Sequence, residues 1–132
     1  IEQSSEKIKK NGRVNIDLRL TSNPDILAWA GAHKTAGQTL CGFAMETQDL
    51  ESNAAKKLTS KHCSMLVANN LNTPGAGFAV DTNVVTVLKP GETTDEPIIE
   101  HWNKMSKQEL AERILTELAA LRNTESAESQ AS

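Results

Sequence analysis

Residues 39–47, Thr-Leu-Cys-Gly-Phe-Ala-Met-Glu-Thr, decide the predicted fold. An apolar start leads into a glycine, an aromatic ring, small residues and a carboxylate, and a helix-like segment, 50–62, follows directly. This order is typical of a buried parallel strand whose carboxyl end opens into a loop and then a helix. Such strand ends hold ligands in open α/β sheets. The stretch therefore predicts either a ligand site, with Gly42 allowing close approach and Phe43 forming a wall for a base, or an ordinary core strand ending in a glycine turn.

The flanking segments continue an alternation of strands and helices. Residues 14–20 alternate apolar and polar, as in a half-buried strand, and Asn-Pro-Asp at 23–25 begins a helix. Residues 63–68 predict a second buried strand, which ends in the amides of Asn69 and Asn70; these either bind a ligand or form a turn. The alternation predicts a three-layer, Rossmann-like α/β fold, with a mostly parallel sheet and helices on both faces.

The run Val-Val-Thr-Val-Leu at 84–88 has two interpretations. It is part of a projecting hairpin, about 78–88, that pairs with a second copy in a homodimer, or it is a central strand covered by the last helix. In the first interpretation, the hairpin residues are an apolar anchor, two turn residues and two interface residues: Phe78, Asp81, Asn83, Val85 and Val87.

Three stretches define the predicted domain organisation. Residues 1–12 form a flexible flap containing Lys7, Lys9 and Lys10, which either clamp phosphates or are a solvated charge run. Residues 13–123 form the α/β body, which closes with a capping box at 106–109 and an amphipathic helix to Leu121. Residues 124–132 are predicted to be a disordered tail.

Composition excludes some classes of partner. With 17 acidic and 14 basic residues, the net charge of −3 argues against nucleic acid. No apolar run approaches the ~20 residues of a membrane span, and the polar first ten residues do not form a signal peptide. Cys41 and Cys63 lie in apolar runs and are predicted to be buried free thiols of a cytoplasmic protein.

Six motifs, in order from residue 6 to 121, resemble the C-terminal part of phosphopantothenoylcysteine synthetase, the phosphopantothenate–cysteine ligase of coenzyme A biosynthesis. They lie at 6–10, 23–27, 42–47, 67–70, 77–83 and 105–110. The chain departs from the family at Met45, where Ala is common, and at Asn70, where Asp is common. The family's glycine-rich nucleotide loop and its acyl-handling asparagine are not among the 132 residues. The resemblance therefore predicts the C-terminal portion of the family domain, inactive as a ligase on its own.

The resemblance implies a reaction and its participants. CTP, with Mg²⁺, activates 4′-phosphopantothenate to an acyl-cytidylate, which L-cysteine then attacks. Lys7 would act catalytically on the triphosphate with Lys9 and Lys10, and Phe43 and Ala44 would lie beside the base.

Further expectations concern weaker contacts and partners. Asn69 and Glu46 are possible substrate or nucleotide contacts, and the alternative for Glu46 is that it only fixes the loop. FMN belongs only to a fused decarboxylase half, and a homodimer is expected. The alternatives are a non-catalytic nucleotide-binding or subunit-assembly module and a flavodoxin-like binding domain.

Overall fold

The computed structural model describes residues 20–70, 81–93 and 96–131. Its elements, in chain order, are helix α1 (Ile26–His33), strand β1 (Cys41–Glu46), helix α2 (Leu50–Ser60), strands β2 (Met65–Asn70), β3 (Thr82–Lys89) and β4 (Ile98–Ser106), and helix α3 (Lys107–Ala131). The four strands form one sheet in the order β1-β2-β3-β4. The predicted α/β class is confirmed, while the strand and flap predicted at 1–19 lie outside the described residues.

The sheet is mixed. Strands β1 and β2 are parallel and are connected through α2, whereas β2–β3 and β3–β4 are antiparallel pairs. The expectation of a mostly parallel sheet is therefore wrong for the described strands. The connection between β3 and β4, residues 90–97, explains one antiparallel pair, because a parallel crossover needs about a dozen residues or more.

Each face of the sheet carries its own core, as the alternation of side chains along a strand requires. The face under α2 buries Ala44, Ala54, Leu58, Cys63, Leu66, Ala68 and Leu88. The face under α3 buries Met65, Val67, Val85, Val87, Trp102, Leu110 and Ile114. The prediction of helices on both faces of the sheet is confirmed.

Strand β3 is a central strand in the described sheet. It pairs with β2 on one side and β4 on the other, and Val85 and Val87 are 3% and 0% exposed beneath α3. A β-branched run that is apolar on both faces is what a strand covered on both faces requires. Val85 and Val87 are therefore core residues of the single chain rather than interface residues of a projecting hairpin. Phe78 lies outside the described residues, and the homodimer stays a prediction.

Helix α3 begins as the sequence predicts and ends later. Ser106 Oγ accepts a hydrogen bond from the backbone N–H of Glu109 at 3.2 Å, and the Glu109 carboxylate accepts one from the Ser106 N–H at 2.9 Å, which is the predicted capping box. The backbone stays helical to Ala131, past the helix end predicted at Leu121. Ala, Glu and Gln, with no Gly or Pro, favour this continuation. The predicted division of the chain into a flap, an α/β body and a tail stays a prediction.

Helix α1 packs on the end of α2 through a glycine. A Cβ on Gly31 would lie 1.8 Å from the carbonyl oxygen of Lys61, so only glycine permits this approach. Asp25 caps α1 by accepting from the Ala28 N–H at 2.8 Å, and its carboxylate also pairs with Lys61. Trp29 is exposed and stacks on the ring of His33.

Two further sequence inferences concern thiols and membranes. Both cysteines are free, as the sequence predicts; Cys63 is buried and Cys41 is half-buried. Burial raises the pKa of the Cys41 thiol to about 11. Among the helices of the described residues, none has the length and apolar content needed to cross a membrane.

Candidate functional site

The carboxyl ends of β1 and β2 lie side by side. The parallel register pairs Cys41 with Met65 at one end and Glu46 with Asn70 at the other. The amino end of β3 reaches the same edge, where Asn69 pairs with Val85. In open α/β sheets this edge is where ligands bind. The structure therefore brings four of the predicted site residues onto two adjacent strands: Phe43, Ala44, Glu46 and Asn69.

Phe43, Met45 and Asn69 share one face of the sheet. Phe43 pairs with Val67 and Met45 pairs with Asn69, so their side chains emerge on the side that carries α3. Phe43 is 68% exposed and Met45 is 47% exposed. An aromatic ring and a thioether thus form an open apolar platform next to an amide, which is the kind of surface on which a planar base can stack.

The amide of Asn69 has an unused acceptor. Its Oδ1 is buried and has no hydrogen-bond partner among the described residues. An unpaired buried acceptor costs about 1–3 kcal/mol, so such an atom needs an explanation. Because this atom lies at the carboxyl end of β2, beside the platform, a hydrogen-bond donor on a bound ligand is one such explanation.

The side-chain positions of Gly42 and Ala44 face the core under α2. Both lie on the α2 face, and the Ala44 side chain is buried in that core. A Cβ on Gly42 would lie 2.7 Å from Leu66 Cδ1 and 2.9 Å from Leu27 Cδ2. The absence of a side chain at Gly42 therefore lets core side chains, and not a ligand, approach the backbone. At Ala44 only the backbone remains available to a ligand.

Glu46 is also on the α2 face and is already paired. Its Oε1 accepts from Lys57 Nζ at 2.5 Å, and its Oε2 lies 3.5 Å from Asn53 Nδ2. The carboxylate is thus on the opposite side of β1 from Phe43. The predicted direct ligand contact is not supported by this arrangement.

Asp81, just before β3, and Asn83, near its start, make hydrogen bonds at the same edge. Asn83 Oδ1 accepts from the Val84 N–H at 3.0 Å, beside a register shift between Asn83 and Val85. The carbonyl oxygen of Asp81 accepts from the Lys107 N–H at 2.9 Å, which fixes the start of α3. Lys7, Lys9 and Lys10 lie outside the described residues.

A concavity that the sequence analysis missed lies on the α2 side of this edge. Its volume is about 610 Å³, and it lies between the first turn of α2 and strands β2, β3 and β4. His101 lines it, with Nε2 3.5 Å from Glu51 Oε1 and Nδ1 3.3 Å from Thr86 Oγ1. No local pattern could have indicated it, because its residues come from four separate elements.

Metal ligation has no site in the part of the chain that the structure describes. Within residues 20–70, 81–93 and 96–131, no three His, Cys, Asp or Glu side chains converge in a way that could hold an ion. We therefore assign no metal ligand to these residues.

Comparisons with known proteins identify the family and agree with the fold. The family described as "DNA/pantothenate metabolism flavoprotein C-terminal domain" (DFP) matches residues 1–121. The chain is 43% identical over 114 residues to the "Coenzyme A biosynthesis bifunctional protein CoaBC" of Bacillus subtilis (strain 168), an alignment that covers 86% of this chain and 26% of that protein. It is 38% identical over 119 residues to a "Cysteine/Cysteine sulfinic acid decarboxylase" of an unknown prokaryotic organism, covering 89% of this chain and 31% of that protein.

A solved structure shows the same fold. The crystal structure of the C-terminal domain of a CoaBC protein superposes with a TM-score of 0.61 and 34% sequence identity, covering 77% of this chain and 46% of that one. The chain spans 26% and 31% of the lengths of these two curated relatives. Because the family match extends over residues 1–121, this chain belongs to the family of DNA/pantothenate metabolism flavoprotein C-terminal domains.

Proposed function

We propose that this chain is the nucleotide-handling region of a CTP-dependent phosphopantothenate–cysteine ligase. The observation that carries the proposal is the exposed ring of Phe43 on the same sheet face as the amide oxygen of Asn69, which has no partner among the described residues, at the carboxyl ends of two parallel strands. Because the chain aligns with 26% of the Bacillus relative, the proposal concerns what this region contributes and not the whole reaction.

Base recognition follows from the two side chains. The base would stack on the ring of Phe43, a contact worth about 1–3 kcal/mol in other base-binding proteins. A small rotation of the Asn69 side chain presents its Oδ1 to the exocyclic amino group of cytosine. A buried acceptor that otherwise lacks a donor discriminates against a base that presents only acceptors at that position.

The chemistry that this region would serve has two steps. A carboxylate oxygen of 4′-phosphopantothenate bonds to the α-phosphorus of CTP, and pyrophosphate leaves. The amine of L-cysteine then attacks the acyl carbon and loses a proton, and CMP leaves with the electron pair of the broken acyl–oxygen bond. The first step concentrates negative charge on phosphate oxygens, which the ammonium groups of Lys7, Lys9 and Lys10 would neutralise together with the Mg²⁺ that accompanies the nucleotide.

Binding is tested on the 132-residue chain itself. CTP, ATP and UTP are titrated into the ¹⁵N-labelled protein, and backbone and side-chain amide shifts are followed. We expect CTP to shift the Asn69 side-chain amide and the backbone amides at Phe43 and Met45, and Phe43→Ala to weaken binding without a loss of fold. Shifts scattered over the surface, or equal binding by UTP, would contradict the base-recognition model.

Catalysis is tested in a chimera. The region of the Bacillus subtilis relative that aligns with 114 residues of this chain is replaced by the corresponding residues of this protein. Release of pyrophosphate that depends on phosphopantothenate supports the ligase, and nucleotide binding without turnover supports the alternative of a non-catalytic nucleotide-binding module. The isolated chain is expected to give no phosphopantothenoylcysteine.

A further inference from the structure

A single carboxylate ties the end of β1 to α2. Glu46 accepts from Lys57 Nζ at 2.5 Å and lies 3.5 Å from Asn53 Nδ2, and Asn53 Nδ2 also donates to the carbonyl oxygen of Gln48 at 3.1 Å. We call Glu46, Asn53 and Lys57 the β1–α2 clamp. It connects the last residue of the strand, the loop and two successive turns of the helix.

The clamp is shielded on one side. The Glu46 side chain is 12% exposed, although that of Lys57 is 46% exposed. An ion pair with one partner out of water is screened less than a fully exposed pair, so its geometry is held more strongly. The conformation of the loop depends on such contacts, because Asp49 has a φ of 48° and its side chain makes no capping bond to α2.

The position of Glu46 affects the opposite face of the sheet through the pairing of β1 with β2. Glu46 pairs with Asn70, and its neighbour Met45 pairs with Asn69, whose amide borders the platform. A strand end that is not held can separate from its neighbour, which would change the spacing between Met45 and Asn69 without unfolding the sheet. The clamp acts on these last two pairs from the side that faces away from Phe43.

We propose that Glu46, Asn53 and Lys57 are positioning residues for the nucleotide: they hold the end of β1 against Asn69 and do not themselves contact the ligand. This inference rests on the proposed function. It replaces the expectation that Glu46 is a direct ligand contact, and it assigns a role to two helix residues that no motif in the sequence indicated.

Charge reversal separates positioning from direct contact. Lys57→Glu and Glu46→Lys each place like charges together, and the double variant restores an opposite pair at the same place. Lys56→Glu is the matched control, because Lys56 is an exposed neighbour on α2 and the substitution changes the net charge equally. The dissociation constant for CTP is measured for each ¹⁵N-labelled chain well below its melting temperature, together with amide hydrogen exchange at Met45 and Glu46.

We expect Lys57→Glu to raise the dissociation constant about tenfold, as the loss of a supporting outer contact commonly does, and to speed exchange at Met45 and Glu46. The double variant should recover most of the affinity, and Lys56→Glu should leave it unchanged. If Lys57→Glu lowers the melting temperature too far, Lys57→Met keeps the aliphatic stem and removes only the charge.

Two outcomes would overturn the role of the clamp alone. One is CTP binding that Lys57→Glu or Lys57→Met leaves as tight as in the unchanged chain. The other is a double variant that binds no better than Glu46→Lys, since that result indicates direct contact by the carboxylate. Absence of CTP binding by the unchanged chain would instead overturn the proposed function, and this role with it.

Discussion

The guanidinium carbon of Arg113 lies 4.0 Å from the centroid of the Trp102 ring, and this contact joins α3 to β4. On the other side of the indole, Nε1 donates to Glu100 Oε2 at 2.9 Å. Glu100 and Glu117 each lie 2.7 Å from Lys89 Nζ. A buried tryptophan whose polar atom is satisfied is thus surrounded by a network of alternating charges that connects β3, β4 and α3.

Lys89→Met should destabilise the fold. The Lys89 side chain is 14% exposed, and its loss leaves two partly shielded carboxylates without their shared cation. We expect the free energy of unfolding to fall by about 1–3 kcal/mol, since both carboxylates keep some access to water. Urea unfolding measures it. Lys104→Met, at an exposed position of β4, is the control, and equal unfolding midpoints for the two variants would show that the network does not stabilise the chain.

Glu100 should make stability depend on pH. The bonds from Lys89 and Trp102 hold the pKa of Glu100 below its ordinary value of 4.5. Because the folded pKa is lower than the unfolded one, this contribution is complete above pH 4.5 and is lost as the pH falls through that value and through the folded pKa. Glu100→Gln should therefore reduce the loss of unfolding free energy that occurs as the pH falls below about 4.5. An unchanged slope would mean that other carboxyl groups, such as Asp25 and Glu109, account for it.

His62→Gly should stabilise the protein. His62 follows the last turn of α2 with a φ of 51°, and the N–H groups of His62 and Cys63 donate to the carbonyl oxygens of Thr59 and Leu58. This is the left-handed helix end at which glycine is preferred. Relief of the left-handed strain should raise the free energy of unfolding by about 1 kcal/mol, measured by thermal or urea unfolding. His62→Ala should not do so, and an equal gain from alanine would exclude backbone strain as the cause.

Lys7→Gln should slow catalysis and leave folding unchanged. If Lys7 neutralises charge in the transition state, its loss in the chimera should raise the barrier to pyrophosphate release by about 2–4 kcal/mol. Lys56→Gln removes the same charge from an exposed site on α2 and serves as the control. A rate that Lys7→Gln does not change would show that residues 7–10 are a solvated charge run.

Local patterns predicted the elements whose cause is local. The run at 39–47 predicted β1 and the helix after it, α2, and the capping box of Ser106 and Glu109 predicted the start of α3. Each of these depends on neighbours within a few residues. The central place of β3 was one of two interpretations that the sequence left open, and the burial of Trp102 was not predicted. They depend on partners far along the chain, as the contact of Lys89 with Glu117 shows.

Only the part of the candidate site that depends on local patterns was predicted. Strand ends indicated Phe43 and Asn69, but the pairing of Glu46 with Lys57 requires the position of α2 on the sheet. The opposite orientations of Phe43 and Ala44 follow from the two-residue period of a strand and were within reach of the sequence.

The side chains of β1 alternate between the two faces of the sheet, and this alternation determines how a library of β1 variants would respond to selection. Gly42 and Ala44 point into packed side chains, whereas Phe43 and Met45 point outwards. Selection for abundance in cells would therefore be strict at even-numbered positions of this segment and lenient at the odd-numbered ones. If the proposed function holds, selection for growth that depends on coenzyme A would be strict at both, so the difference between the two selections would alternate with every residue along the strand.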